Sequence, residues 1–119
     1  WETALAAPPA SESCWIHGDL HARNVIVQSG QISGIIDWGD LTSGDVATDL
    51  ACIWSLFAQP LARQECIAHY GPTPDQVQRA RGWAIHFAVM LIDTGRFDHP
   101  RHLKMGNAIL RHLMEDQAV

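Results

Sequence analysis

Two short segments of the chain concentrate polar side chains beside glycines. Residues 17–24 read HGDLHARN, and residues 36–40 read IDWGD. Polar groups at the ends of predicted strands are typical of a site that loops carry on a rigid scaffold. In phosphoryl-transfer enzymes a carboxylate orients the attacking hydroxyl and accepts its proton, while an asparagine and a second aspartate hold Mg²⁺ on the nucleotide phosphates. Asp19, Asn24 and Asp37 have the order and spacing for that chemistry.

Three short predicted strands would position these side chains. Residues 14–16 read as a buried strand, and residues 24–28 and 31–38 are rich in β-branched types. The dipeptide Ser29-Gly30 separates the last two strands. Because glycine tolerates the positive φ of a two-residue turn, this dipeptide predicts a β-hairpin.

The register of this hairpin predicts whether two candidate residues meet. With a two-residue turn, Asn24 pairs with Ile35, and Asp37 lies diagonally one pair further on the same face. Both side-chain oxygens can then face one Mg²⁺, which prefers oxygen ligands. A slip of one residue would place them on opposite faces, and Gly34 is where a bulge would cause it.

In the second half of the chain, apolar residues recur at helical spacing. Asp45 and Thr73 are predicted N-caps, the latter followed by proline and then, three residues after the cap, by glutamine. Gly71 and Gly95 are predicted helix stops. The predicted helices cover residues 46–58, 61–69, 74–94 and 101–115.

The predicted fold class is α+β, with a small β-hairpin region packed on a mainly helical part. Residues 1–13 are predicted to be a lead-in loop that can follow a frayed helical turn, and residues 14–119 are predicted to form one domain. Large apolar residues of strands and helices are assigned to the core. They are Trp15, Trp38, Trp54, Trp83, Leu103, Leu110, Leu113 and Met114.

Composition excludes several classes of protein. Thirteen acidic residues against eight lysines and arginines give a formal charge of −5, so nucleic acid is not an expected partner. No uncharged run approaches the roughly 20 apolar residues of a membrane-spanning helix. Three widely spaced cysteines predict reduced, buried thiols rather than disulfides or structural zinc. Because the N-terminus lacks the pattern of a secretion signal, the chain is expected to be cytoplasmic, and because it begins with Trp1 rather than Met, it is expected to be an excised piece of a longer protein.

Taken together, the motifs resemble a known family. HGDLHARN, IDWGD and the segment GDVATDLA at residues 44–51 occur with the spacing of the aminoglycoside phosphotransferase and choline kinase-like family, a small-molecule branch of the protein-kinase fold. The resemblance covers residues 14–58, and residues 79–84 are similar to a later helix of bacterial members. It implies the C-terminal lobe of a kinase that transfers phosphate from ATP or GTP to small-molecule hydroxyls, antibiotics among them.

The resemblance also implies roles for individual residues. Asp19 is implied to be the catalytic base, and Asn24 and Asp37 the Mg²⁺ ligands. His17 is implied to be a scaffold residue of the catalytic loop. Asp49 is implied to brace the backbone of that loop with its carboxylate.

Two basic residues inside the loop, His21 and Arg23, are the candidate contacts to the cofactor, because they can approach the transferred phosphoryl group. Gly18 stands where protein kinases have the arginine of H-R-D, and Trp38 stands in the middle of the segment that resembles D-F-G. No A-P-E segment occurs. A small molecule is therefore the expected acceptor, rather than a protein side chain.

The nucleotide lobe of such a kinase has no counterpart in these 119 residues. They contain no glycine-rich phosphate loop, and the only lysine, Lys104, lies in the last predicted helix. We expect weak nucleotide binding and little turnover, because metal ligands without a phosphate cradle leave the donor poorly positioned. Apolar surface left uncovered is expected to favour self-association.

The residues leave two other functions open. A non-enzymatic remnant or interaction module would keep the fold without the reaction, although retention of Asp19, Asn24 and Asp37 together favours the enzyme. A hydrolase would use His17 and His21 as transition-metal ligands, but the neighbouring glycine and strands disfavour the helix that such a pair needs.

The acceptor is not identified by the sequence. Aminoglycosides, macrolides, choline, homoserine and sugar amines all lie within the range of the family. Acidic residues are more often solvated or capping groups, yet in the helical half they would suit a polycation such as an aminoglycoside. The acidic residues in question are Asp40, Asp45, Asp93, Asp98, Glu115 and Asp116.

Overall fold

In the computed structural model, which describes residues 1–97 and 99–117, strands and turns lie mainly in the first half of the chain and helices in the second. The first half contains α1 (Glu2–Ala6), β1 (Cys14–Ile16), β2 (Val25–Gln28), β3 (Gln31–Ile35) and β4 (Thr42–Gly44). The second half contains α2 (Ala47–Leu50), α3 (Ile53–Leu56), α4 (Pro60–Tyr70), α5 (Pro74–Phe97) and α6 (Pro100–Glu115). These helices and two small antiparallel sheets agree with the predicted α+β class.

Two antiparallel strand pairs lie on either side of the loop of residues 17–24. β1 pairs with β4, an unpredicted strand whose Thr-Ser-Gly sequence has no apolar signal. β2 pairs with β3 across Ser29 and Gly30, which both have positive φ, and the predicted hairpin is confirmed. Only Ile16 of β1 is buried, so the first strand is less buried than predicted.

The hairpin register differs from the prediction beyond Val27. Between Val27 and Ile26, on the side away from the turn, the pairing shifts by one residue, so the ladder contains a bulge. The Ile36 N–H donates to the Asn24 carbonyl oxygen at 2.9 Å, and the predicted pairing of Asn24 with Ile35 is wrong. The reason is local, because the spare residue lies next to Gly34, whose missing side chain leaves the ladder easy to bend.

The core lies where α2 and α3 pack against α5 and α6. Gly95 is buried inside α5, and a Cβ there would collide with the Leu103 backbone of α6. This glycine therefore allows two helices to approach closely and does not end the helix as predicted. The buried apolar residues of the core are Ala47, Leu50, Ala51, Ile53, Trp54, Ala80, Ala84, Ala88, Ile109 and Leu113.

Several local helix signals are confirmed. α4 ends at Gly71, which is left-handed with φ 71°. Thr73 and Gln76 form the predicted capping box, in which the Gln76 N–H donates to Thr73 Oγ1 at 3.2 Å and the Thr73 N–H donates to Gln76 Oε1 at 2.8 Å. The single helix predicted over residues 46–58 is instead the two short helices α2 and α3. Within the described residues, none of these helices has the length and apolar character to cross a membrane.

Burial corrects several assignments to the core. Trp54 is buried, but Trp15 is 78% exposed, and Trp38, Trp83 and Met114 are exposed as well. Neighbouring elements decide which apolar face is covered, and periodicity alone does not report this. The segment of residues 1–13, predicted as a lead-in loop that can follow a frayed helical turn, contains the five-residue helix α1, which contacts α5.

All three cysteines are free, as predicted. Cys14 is exposed, however, and Cys52 and Cys66 are half-buried, so the expectation of buried thiols is wrong for Cys14. Burial, followed by the nearby Cys66 and Asp49, raises the pKa of the Cys52 thiol to about 12. That thiol stays protonated and unreactive at neutral pH.

Candidate active site

The loop of residues 17–24 is held at its start by the Asp49 carboxylate of α2. Asp49 Oδ2 accepts the His17 N–H at 2.7 Å, and Oδ1 accepts the Gly18 N–H at 3.0 Å. Hydrogen bonds to a carboxylate are charge-assisted and stronger than those between neutral groups. One side chain of α2 therefore orients the first two peptide groups of the loop.

The His17 ring joins this loop to the end of β3. It is buried, its Nε2 donates to the Ile36 carbonyl oxygen at 2.8 Å, and its Nδ1 accepts the Asp19 N–H at 3.3 Å. Its centroid lies 4.7 Å from that of the Trp38 ring. Both ring nitrogens are engaged, so His17 offers no lone pair to a transition metal. This engagement of the ring argues against the hydrolase interpretation, in which His17 and His21 bind a transition metal. The described residues hold no group of three or more His, Cys, Asp or Glu that could bind a metal ion.

Gly18 makes the tight path of the loop sterically accessible. Its φ is +87°, and a Cβ at this position would lie 2.5 Å from the Asp40 carbonyl oxygen. Both the backbone conformation and the lack of space therefore require glycine. The turn at Gly18 sets the direction of the chain at the next residue, Asp19.

Asp19 and Asn24 come together at the two ends of the loop. The buried Asn24 donates from Nδ2 to the Asp19 carbonyl oxygen at 2.9 Å and to the Asp19 Oδ2 at 3.4 Å. The Asn24 Oδ1, on the other side of the amide, is thereby directed away from Asp19. The Asp19 side chain is 41% exposed, so its carboxylate is accessible to a bound molecule.

Asp37 follows β3 in the left-handed conformation, with φ 62° and ψ 63°, and is exposed. Few residues other than glycine adopt this conformation, and those that do are concentrated at functional sites. Asn24 lies in a 3-10 turn, so neither residue is in extended strand and the same-face argument from the hairpin does not apply. Asp37 directly follows Ile36, whose N–H donates to the Asn24 carbonyl oxygen. This backbone hydrogen bond brings the two candidate ligands, Asn24 and Asp37, close together.

The two basic residues of the loop point in different directions. His21 Nδ1 accepts the Arg23 N–H at 3.2 Å, and His21 Nε2 lies 3.4 Å from the Asp19 Oδ2. The Arg23 guanidinium instead hydrogen-bonds to His102 Nε2 on α6. His21 therefore belongs to the surroundings of Asp19, and Arg23 connects the loop to the helical half.

A groove of about 270 Å³ opens between the loop and the helical half. Asp19 and His21 line one side of it, and apolar residues of α5 line the other. The sequence pattern did not predict the helical wall, because periodicity identifies an apolar face without showing what lies opposite it. The helical residues of the groove are Phe87, Met90, Leu91, Thr94 and His102.

Comparison with known proteins defines the class. The sequence model of the phosphotransferase enzyme family APH matches residues 1–83, and the chain belongs to this family. Viomycin phosphotransferase from Streptomyces vinaceus is 37% identical to it over 62 residues, an alignment that covers 49% of this chain. That match spans 22% of the length of the viomycin enzyme. No solved structure matches the chain significantly.

Proposed function

We propose that residues 14–119 form the C-terminal, catalytic-loop lobe of a kinase-like phosphotransferase that moves a phosphoryl group from ATP to a hydroxyl of a small molecule. Membership of the phosphotransferase family supports the reaction class. The observation that carries the proposal is the fixed loop, in which Asp49 and His17 hold the backbone so that the Asp19 carboxylate borders a groove. Such pre-organisation is what transfer to a bound alcohol requires.

Asp19 is the proposed general base. As the acceptor oxygen bonds to phosphorus, the bond from phosphorus to the nucleotide's leaving oxygen breaks, and the hydroxyl proton passes to the Asp19 carboxylate. His21 is proposed to contact the transferred phosphoryl group, because its Nε2 lies 3.4 Å from Asp19 Oδ2. His17 and Asp49 are positioning residues, since they act on the loop backbone.

Asn24 and Asp37 are the residues that would hold Mg²⁺. They offer an amide oxygen and an exposed carboxylate, and magnesium binds oxygen ligands of this kind. The bond from Asn24 Nδ2 to the Asp19 carbonyl supports this assignment, because it directs Oδ1 away from Asp19. When bound, Mg²⁺ would neutralise phosphate charge and orient the nucleotide.

The acceptor is proposed to be an antibiotic or a related amino alcohol, in keeping with the name of the viomycin enzyme. The acidic residues suggested for a polycation are partly engaged elsewhere. Arg79 binds Asp45, and Arg63 binds Glu115 and Asp116. Asp98 lies outside the described residues. Recognition of a cationic acceptor by Asp45, Glu115 and Asp116 is therefore not part of the proposal.

Manganous ion, a paramagnetic substitute for Mg²⁺, tests the metal site without turnover. We expect Mn²⁺ to broaden the amide resonances of residues 19–24 and 36–40, and both Asn24→Ala and Asp37→Asn to weaken that broadening. Asp93→Asn, at an exposed position of α5, is the matched control. Broadening that is identical in the wild type and both site variants would contradict the assignment.

Phosphoryl transfer from ATP to viomycin, aminoglycosides or choline tests the reaction. These 119 residues are expected to turn over far more slowly than the roughly 10 per second of a typical enzyme. Asp19→Asn is expected to abolish whatever transfer is measured. A rate near one per second would overturn the expectation of weak activity, and a rate that survives Asp19→Asn would overturn the role of Asp19. Absence of any transfer or metal binding would favour the non-enzymatic alternative.

A further inference from the structure

A second, smaller cleft with basic side chains lies beside the groove. It has a volume of about 230 Å³ and is lined by Arg23, His99, Pro100 and Arg101. Arg23 comes from the catalytic loop and the other three from the start of α6. The cleft therefore forms only when the loop and α6 are folded together.

His102 separates this cleft from the groove that Asp19 lines. Its Nε2 is hydrogen-bonded to the Arg23 guanidinium, and its ring centroid lies 4.8 Å from that of His99. The same residue lines the groove together with Asp19. The His102 side chain thus lies between the two sites, and a molecule in the groove can extend past it into the basic cleft.

The cleft brings two arginines together in a chain whose formal charge is −5. Arg23 and Arg101 both line the cleft, and neither forms a salt bridge within the described part of the chain. Like charges at short range repel each other. A bound anion would relieve that repulsion.

The environment of His102 is consistent with this crowding. Burial first, and then the charges of Arg23, His99 and His21, lower the pKa of His102. The neutral imidazole accepts from Arg23 through Nε2 and faces Thr94 Oγ1 at 3.4 Å through Nδ1. His102 thereby holds the guanidinium at the edge of the cleft.

We propose that this cleft is a subsite for an oxyanion, a phosphate or carboxylate group, with Arg23 and Arg101 as its two ligating side chains and His99 beside them. The planar guanidinium donates two parallel hydrogen bonds to such a group. The inference rests on the proposed function only for the identity of the molecule that carries the anion. That molecule is either the nucleotide donor or an acceptor with an anionic end that lies in the groove.

Binding of inorganic phosphate to the 119-residue chain, followed by ³¹P NMR at low ionic strength, tests the subsite. We expect Arg101→Gln and Arg23→Gln each to weaken phosphate binding at least fivefold. Arg111→Gln removes the same charge from the other end of α6, where the side chain is 64% exposed, and should change binding less than twofold. Circular dichroism verifies that all three variants keep their helix content.

Equal phosphate binding by the wild type and both cleft variants would overturn the proposal. A loss in Arg111→Gln as large as in the cleft variants would also overturn it, because the effect would then be general charge attraction. Asp19→Asn should abolish transfer yet leave phosphate binding intact. Failure of the proposed function is thereby distinguishable from failure of the subsite.

Two further probes identify the source of the anion. If the donor supplies it, Arg101→Gln weakens binding of ATP at least fivefold. If the acceptor supplies it, the variant leaves ATP binding unchanged and weakens binding of a sugar phosphate such as glucose 6-phosphate. Either result supports the subsite. Unchanged binding of ATP and glucose 6-phosphate, together with unchanged binding of inorganic phosphate, contradicts it.

Discussion

Asp49 shapes the candidate site without lining the groove. Its carboxylate oxygens accept the N–H groups of His17 and Gly18, at the point where the chain turns through the positive φ of Gly18. Buried or half-buried N–H groups without partners are costly, so the loop conformation depends on this one side chain. The same dependence applies to His17, whose ring satisfies the Asp19 N–H.

Asp49→Asn is expected to lower the free energy of unfolding by about 1–3 kcal/mol, because an amide has one acceptor oxygen where the carboxylate has two. Urea denaturation followed by tryptophan fluorescence measures this change. Asp93→Asn, at an exposed position of α5, is the matched control and should stay within about 0.5 kcal/mol of the wild type. An effect of Asp49→Asn no larger than that of the control would refute the role of Asp49 in holding the loop backbone.

Among the helices, Arg63 of α4 is the principal polar connection. Its side chain is fully buried and donates to the Phe57 and Ala58 carbonyl oxygens, both at 2.9 Å, just after α3. It also binds Asp116 at 2.7 Å and Glu115 at 3.1 Å, at the end of α6. One guanidinium therefore joins three helices. Without it, the Phe57 and Ala58 carbonyl oxygens would lose this donor, while Asp116 would keep only part of its partners, among them the Trp54 indole N–H at 2.9 Å.

Arg63→Ala is expected to destabilise the protein by about 3–5 kcal/mol, because it leaves the mostly buried Asp116 carboxylate without its guanidinium partner. Arg111→Ala is the matched control, since Arg111 also pairs with Glu115 but at 3.8 Å on the surface. Loss of the Arg111 side chain should lower the free energy of unfolding by at most about 0.5 kcal/mol. Chemical denaturation compares the two, and equal effects would show that the buried arrangement is unimportant.

The same cluster predicts how stability depends on pH. Partial burial would raise the pKa of the Asp116 carboxyl, but hydrogen bonds from Arg63 and Trp54, and the charges of Arg63 and Arg81, hold it below the ordinary 3.8. The pKa of Asp116 is thus lower in the folded than in the unfolded state. The ionised carboxylate therefore stabilises the fold fully at a pH above the unfolded-state pKa, and this stabilisation is lost as pH falls below about 4.

Thermal unfolding between pH 2 and pH 6 measures this dependence. We expect the wild type to lose stability toward acid, and Asp116→Asn to be less stable at pH 6 but to depend less on pH. An unchanged acid slope in Asp116→Asn would assign the dependence to other carboxylates.

Across the molecule, large apolar side chains lie on the surface as well as in the core. Trp15 and Phe97 are 78% and 81% exposed, and a cavity of about 400 Å³ between α1 and α5 is lined by Trp1, Leu5 and Trp83 among others. Surface of this kind favours contacts with another molecule.

Self-association is therefore the expected behaviour at higher protein concentration. Sedimentation velocity should show a weight-average coefficient that rises with concentration, because association buries apolar surface. The double variant Trp15→Ser with Phe97→Ser should reduce the rise, and Lys104→Ser is a control at an exposed polar position. A single sharp monomer boundary at every concentration would contradict this expectation.

Sequence patterns of short range predicted much of the fold. The Ser29-Gly30 turn, the Thr73 capping box and the stop at Gly71 were all predicted, because each depends on residues a few positions apart. The motif around Asp19 likewise predicted the segment that the structure builds into a fixed loop. These features follow from local steric and hydrogen-bonding preferences, which the residue types carry with them.

Long-range packing determined the rest. The close approach at Gly95, the burial of Arg63 and the exposure of Trp15 all depend on partners that no local pattern identifies. Asp49 reaches His17 across 32 positions, and Arg23 reaches His102 across 79. The order of the motifs is thus a property of the amino-acid sequence, whereas the groove and the basic cleft exist only after the helices have packed, because their walls come from opposite ends of the chain.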